Sequence, residues 1–163
     1  MFPKQSDVLA YRSVYGDPRG RNGQASATWM KANLIPVTVP FKMSMGDIPI
    51  KRITVHRACA ASLGAVLDAI WIAAKRDQGK IDEWGMNVFS GSFNYRPMRG
   101  LTTLSMHAFG CAVDFDAPRN GLGDSTPRFA NYPAVLDAFK AQGWTWGGRW
   151  SRPDGMHFQA ATI

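Results

Sequence analysis

Ser105-Met-His107-Ala-Phe-Gly110-Cys-Ala112-Val-Asp114-Phe-Asp116 is the stretch on which the reading of this 163-residue chain turns. From Cys111 to Asp116 it alternates in the manner of a strand. Ala112, Asp114 and Asp116 fall on one face, and Cys111, Val113 and Phe115 on the other. A face of carboxylates behind a face of apolar side chains describes a half-buried strand that carries a site. Far downstream, Asp154-Gly-Met-His157 again sets a carboxylate near a histidine. Two of the three histidines in the chain lie in these two segments.

Working outward, Met86-Asn-Val-Phe89 reads as a short strand leading to the loop Ser90 to Gly100. Upstream, from about Thr54 to Arg76, Leu63, Val66, Leu67, Ile70 and Ala74 recur at helical spacing, with Gly79 as the stop. Residues 1–50 carry turn signals at Gly16-Asp-Pro18 and Asn22-Gly23, then the extended run Leu34 to Phe41, and read as a wrapping arm with one edge strand. Downstream, Ala117 to Arg128 reads as a long loop near the site. Asn131 is placed to cap a helix through Val135, Leu136 and Phe139 that ends at Gly143. Trp144 to Gly148 and Gly155 to Gln159 then read as two short strands joined by a turn. Helices beside several short strands predict an α+β fold, and the length suits a single domain over 1–163.

The composition is that of a folded chain, 45% hydrophobic and 19% charged, with 16 glycines and 10 prolines. A net charge of +7 and a pI near 9.8 favour anionic surroundings. The basic residues are scattered and no nucleic-acid motif is present, so a basic surface is expected rather than a DNA or RNA site. The apolar stretch Ala58 to Ala74 contains Asp68 and falls short of the roughly 20 residues that span a bilayer, so no stable membrane insertion is expected. Met1 to Asp7 lacks the basic-then-apolar run of a secretory signal, which leads to the expectation of synthesis in the cytoplasm. Cys59 and Cys111 are expected as free buried thiols. A monomer is expected.

A catalytic zinc takes three protein ligands and keeps a fourth place for water. His107, Asp114 and His157 supply that number, although two histidines and a carboxylate also suit non-haem iron. The wider pattern, Ser105-x-His107-x-x-Gly110-x-Ala112-x-Asp114 with the distal Asp154-x-x-His157, resembles the zinc D,D-peptidases of peptidase family M15. These include D-alanyl-D-alanine carboxypeptidases and the L-alanyl-D-glutamate endopeptidases that serve as phage endolysins. Tyr95-Arg96-Pro97 and Trp144-x-Trp146-Gly-Gly-x-Trp150 resemble the phage-type branch. The resemblance covers residues 54–159, the expected catalytic core, with a weaker echo in the arm.

The resemblance implies a small central antiparallel sheet flanked by helices, as in hedgehog and D,D-peptidase domains. It implies Zn2+ held by His107, Asp114 and His157. It also implies Asp154 as general base and acid, where many relatives have Glu, and Arg96 as the group that steadies the oxyanion, with Arg99 as its understudy. The implied function is hydrolysis of a peptidoglycan stem-peptide bond, L-alanyl-D-glutamate first, by an endolysin held in the host cytoplasm and released to the periplasm and the anionic wall. The alternatives are a D-alanyl-D-alanine carboxypeptidase and a non-catalytic zinc-stabilised binding domain of the hedgehog kind.

Other readings attach to neighbouring residues. Pro153-Asp154-Gly155 is also a turn signal, and Gly155 is expected to let the backbone bend between Asp154 and His157. Ser105 suits either a contact with substrate or a loop cap. Cys111 points away from Asp114 by parity. His56, at the start of the long helix, is expected as a hydrogen-bonded core residue. One of Trp144, Trp146 and Trp150 is expected at the site edge.

Overall fold

In the computed structural model, which describes residues 1–98, 100 and 102–163, the alternation after Gly110 becomes the strand Ala112–Phe115 (β6). It lies inside a four-stranded antiparallel sheet between Phe89–Gly91 (β5) and His157–Gln159 (β8), with Thr145–Trp146 (β7) beyond β8. The register sets Ala112 opposite Gln159, Val113 opposite Phe158 and Asp114 opposite His157. Directly opposed residues share a face, so Ala112, Asp114, His157 and Gln159 line one side. Val113, Phe115 and Phe158 line the other and are fully buried. There Phe158 stacks on Phe139 with ring centroids 3.9 Å apart, and Phe129 and Phe115 pack around the pair. Each phenylalanine removed from water contributes about 1.5–3 kcal/mol. The first strand differs from the reading at Met86: pairing begins at Phe89, opposite Phe115.

The long helix is Arg57–Ala73 (α3), and Thr54 does not belong to it. Residues Arg52–His56 form a strand (β4) paired antiparallel with Leu34–Thr38 (β1), in which the β-branched Ile53 and Val55 are buried. Such residues favour a strand over a first helical turn. The buried stripe of α3 includes Leu63, Val66, Leu67 and Ile70, with Ala74 just past its end. Gly79 is not the stop. Lys75 and Arg76, at φ +56° and +55°, turn the chain, and a second helix, Gln78–Trp84 (α4), follows with Gly79 inside it. Asp77 caps α4 through a 2.7 Å bond from the Gly79 amide.

Pro133–Ala141 (α5) starts without help from Asn131; Tyr132 stands at the cap without a side-chain bond, and Pro133 occupies the first turn. There the preset φ of proline replaces capping. Gly143, at φ +79°, ends the helix region as read.

The arm is more ordered than one edge strand. Val8–Tyr15 (α1) is capped by Asp7, Ala27–Asn33 (α2) by Ser26, and a hairpin of Ser44–Met45 (β2) and Ile48–Pro49 (β3) follows β1. The arm closes onto the end of β8: Tyr15 Oη donates to the Ala160 carbonyl at 2.5 Å, and the Gln5 amide donates to the Thr162 carbonyl at 2.8 Å. The architecture is α+β. Among the described residues no single helix is long and apolar enough to cross a membrane.

Candidate metal centre

Three donor atoms converge above the polar face of the sheet. His107 Nε2 lies 3.1 Å from His157 Nδ1 and 3.2 Å from Asp114 Oδ1, and His157 Nδ1 lies 3.1 Å from the same oxygen. Tetrahedral zinc with bonds of about 2.0–2.1 Å sets its ligands about 3.3–3.4 Å apart, so these three donors would need to spread by only a few tenths of an ångström. The far nitrogen of each imidazole is also held. His107 Nδ1 meets the Ser92 carbonyl at 2.7 Å, and His157 Nε2 meets Gln159 Oε1 at 3.1 Å. A partner on one ring nitrogen fixes the tautomer and aims the other nitrogen. The residues therefore fit a zinc ion, and could hold one.

The electrostatics agree with that fit. Burial alone would raise the Asp114 carboxyl, but hydrogen bonds from His107 and His157, together with their charge, hold it well below the usual carboxylate range. Burial disfavours a charged His157, yet the bond and charge of Asp114, with Gln159 and Asp154, raise it overall. The carboxylate is thus ready to receive a cation, and protons compete with a metal for the imidazole.

The spacing within the first motif follows from local packing. Ser105 caps the single 3₁₀ turn Met106–Phe109 by accepting from the His107 amide at 3.3 Å, and it also lines the cleft over the metal residues. Gly110 ends that turn at φ +67°, and a Cβ there would lie 2.7 Å from Leu34 Cδ2 and 3.0 Å from the His56 amide nitrogen. Only glycine satisfies both the left-handed conformation and the close approach. The chain then enters β6 and delivers Asp114 opposite His157.

Asp154 stands three residues before the start of β8, in a turn closed by the His157 amide on the Asp154 carbonyl, 3.2 Å. Gly155 is not needed for an unusual φ, as the sequence suggested; it is needed for room. A Cβ on it would lie 2.3 Å from Pro127 Cβ. The tryptophan-glycine segment braces the same turn. Trp146 Nε1 donates to the Gly155 carbonyl at 2.7 Å, the Asp154 amide donates to the Gly147 carbonyl at 2.9 Å, and a Cβ on Gly147 would lie 2.7 Å from the Asp154 carbonyl oxygen. Within Trp144 to Gly148 the expected strand is present as Thr145–Trp146, and the bracing of the Asp154 turn is an additional role of the segment.

A cleft of about 370 Å³ opens over the three ligands and is also lined by Asp154, Arg96, Trp150 and Arg152. Trp150 is the tryptophan at the site edge, its ring centroid 5.3 Å from that of His157, whereas Trp144 is buried. The Arg96 guanidinium donates to the Pro97 carbonyl at 3.2 Å. Arg99 lies outside the described residues.

Asp116 does not share the ligand face. Its backbone turns left-handed at φ +48°, ending the strand, and its buried carboxylate takes bonds from Arg119 Nε at 2.7 Å and Asn120 Nδ2 at 3.2 Å. Asn120 also accepts from the Phe129 amide, so the 117–128 segment is a packed connection built on Asp116. Cys111 is buried, its thiol beside the Met106 carbonyl, and both cysteines are free. His56 caps α3, its Nδ1 accepting from the Ala58 amide at 3.0 Å. Two residues that sequence reading overlooked are Gln159 and Gln5; the only sequence signal for the first was its two-residue spacing from His157, and for the second there was none.

No curated protein and no solved structure matches the chain. Residues 99–160 match a family model described as D-alanyl-D-alanine carboxypeptidase. The matched residues include His107, Asp114, Asp154 and His157, so the segment that builds this centre is similar to the D-alanyl-D-alanine carboxypeptidases of peptidase family M15.

Proposed function

We propose that this protein is a zinc-dependent peptidoglycan hydrolase that cuts the L-alanyl-D-glutamate bond of the stem peptide, an endolysin stored in the host cytoplasm and released to the wall. The match of residues 99–160 to a D-alanyl-D-alanine carboxypeptidase family model supports the peptidase chemistry. The observation that carries the metal reading is the triangle of His107 Nε2, Asp114 Oδ1 and His157 Nδ1, open on one side to a cleft that holds a further carboxylate and a guanidinium. Structural zinc is closed by four protein ligands, whereas three leave a place for a reactant. Zinc bound there would supply Lewis acidity and a water nucleophilic near neutral pH.

The chain's own groups divide the remaining work. The Asp154 carboxylate accepts the proton of the attacking water and returns it to the leaving amine nitrogen. Arg96 donates from its guanidinium to the oxygen that gains charge as the peptide carbon becomes tetrahedral. His107 and His157 keep their rings aimed through Ser92 and Gln159. Trp150 lines the cleft and offers an aromatic wall for a bound peptide.

The family description favours a second reading, removal of the terminal D-alanine. Mass spectrometry of fragments released from purified peptidoglycan separates the two. A new N-terminal D-glutamate is expected. Loss of a terminal D-alanine would establish the carboxypeptidase instead, and an untouched wall with zinc bound would mean a binding domain.

A further inference from the structure

Beyond the three ligands, one buried polar chain of contacts leaves the centre. His157 Nε2 meets Gln159 Oε1 at 3.1 Å, and Gln159 Nε2 donates to Gln5 Oε1 at 2.8 Å and more weakly to the Ala161 carbonyl at 3.4 Å. Gln159 is 1% exposed. It lies two residues beyond His157 on the same strand, so both side chains rise from the same face of the sheet. Gln5 comes from the other end of the chain, outside residues 99–160, and lines the same cleft. Backbone bonds between Gln5 and Thr162 and between Thr162 and Pro3 hold it beside the strand end.

A glutamine amide is directional: one end accepts and the other donates. With its nitrogen engaged by two oxygens, those of Gln5 and Ala161, Gln159 has its oxygen left for the imidazole. That oxygen can only accept, so the His157 proton resides on Nε2 and Nδ1 presents a lone pair to the triangle. An apolar side chain at position 159 would leave the ring free to change tautomer or rotate. An unengaged Gln5 would leave the Gln159 amide free to flip its donating end toward the ring.

We propose that Gln159 is the positioning residue for His157, and that Gln5 of the N-terminal arm sets its polarity, so that the arm tunes the affinity of the metal centre. The inference rests on the metal reading above. Removing partners of metal-bound histidines weakens metal affinity by about 10–100-fold.

The test measures zinc dissociation constants by chelator competition on the full chain, with the His157 ring protons followed by nitrogen-resolved NMR of the zinc-loaded protein. Wild type is expected to show a slowly exchanging Nε2 proton on His157. Gln159→Leu is expected to bind zinc about 10–100-fold more weakly and to lose that slow exchange. Gln159→Glu, which keeps an acceptor, should bind more tightly than Gln159→Leu and regain the slow proton. Gln5→Ala should weaken zinc binding a few-fold and speed exchange, with the thermal midpoint of the metal-free protein unchanged. If Gln159→Leu fails to fold, Gln5→Ala decides. Wild-type zinc affinity and proton exchange in Gln5→Ala would overturn the role of the arm, and the same result in a folded Gln159→Leu would overturn the whole proposal while sparing the metal reading. A wild-type protein that binds no zinc would defeat the metal reading itself.

Discussion

At the scale of single residues, roles separate by what each change removes. Asp154→Asn keeps shape and takes away the base; zinc content is expected to stay at the wild-type level while kcat on stem peptides falls by about 10²–10⁴. Metal analysis beside the rate assay checks this, and loss of zinc would show Asp154 to be a ligand. Gly155→Ala adds one methyl where Pro127 leaves no space, and overpacking of this kind costs about 1–3 kcal/mol, readable as a lower urea midpoint. His56 offers a pH effect remote from the centre. Burial lowers its imidazole from 6.5 to about 4, the Tyr15 backbone pulling upward and the Arg57 charge downward. The folded state therefore prefers the neutral ring. Its contribution to stability is full above pH 6.5 and is lost as the pH falls from 6.5 through 4. His56→Asn retains a capping side chain, so its urea midpoint should vary less between those pH values than that of wild type; an equal slope would assign the acid sensitivity to other groups.

At the scale of elements, what the sequence made legible was periodicity, and what it hid was the choice among competing local conformations. The stripe through Leu63, Val66, Leu67 and Ile70 marked α3 because its burial follows the helical repeat. Its start was misplaced because Ile53 and Val55 fit an apolar pattern of either period; only pairing with β1 decides for a strand. Its end was misplaced because the turn uses Lys75 and Arg76 in a conformation that glycine adopts more easily, leaving no glycine to mark it. Left-handed backbone costs a non-glycine residue about 1–2 kcal/mol. Arg76→Gly should consequently raise the unfolding free energy by about 0.5–1 kcal/mol, read as a higher urea midpoint, after the greater freedom of glycine in the unfolded chain is counted. The motif with Ser105, Gly110 and Asp114 was legible as a pattern, but the reasons for its glycine lie in Leu34 and His56, far away in sequence.

At the scale of the molecule, the centre joins distant parts of the chain: His107 from a turn, Asp114 and His157 from paired strands, and the Gln5 contact from the arm. Sequence spacing could name the three candidate metal residues but not their mutual distances, nor the closure of the arm on the strand end, since long-range contacts leave no periodic trace. Metal binding adds to folding free energy where ligands come from separate elements. Chelation is expected to lower the thermal midpoint and abolish wall lysis, with zinc restoring both; calorimetry and a turbidity assay provide the check. The charge of +7 should hold the protein on an anionic wall. Retention on purified wall should fall as salt rises from about 0.1 to 1 M, where the screening length shrinks from about 10 to 3 Å.

The pairing of Asp114 with His157 also orders events in time. A chain emerging from the ribosome folds from its leading end, and once Asp114 has been made it carries two of the three candidate metal residues and not the third. The strand from His157 to Gln159 arrives more than forty positions later, and until it docks the chain has neither the last ligand nor the anchor that Gln5 reaches for. On the proposed function, a nascent chain would lack hydrolytic competence until the docking of one three-residue strand completes the centre.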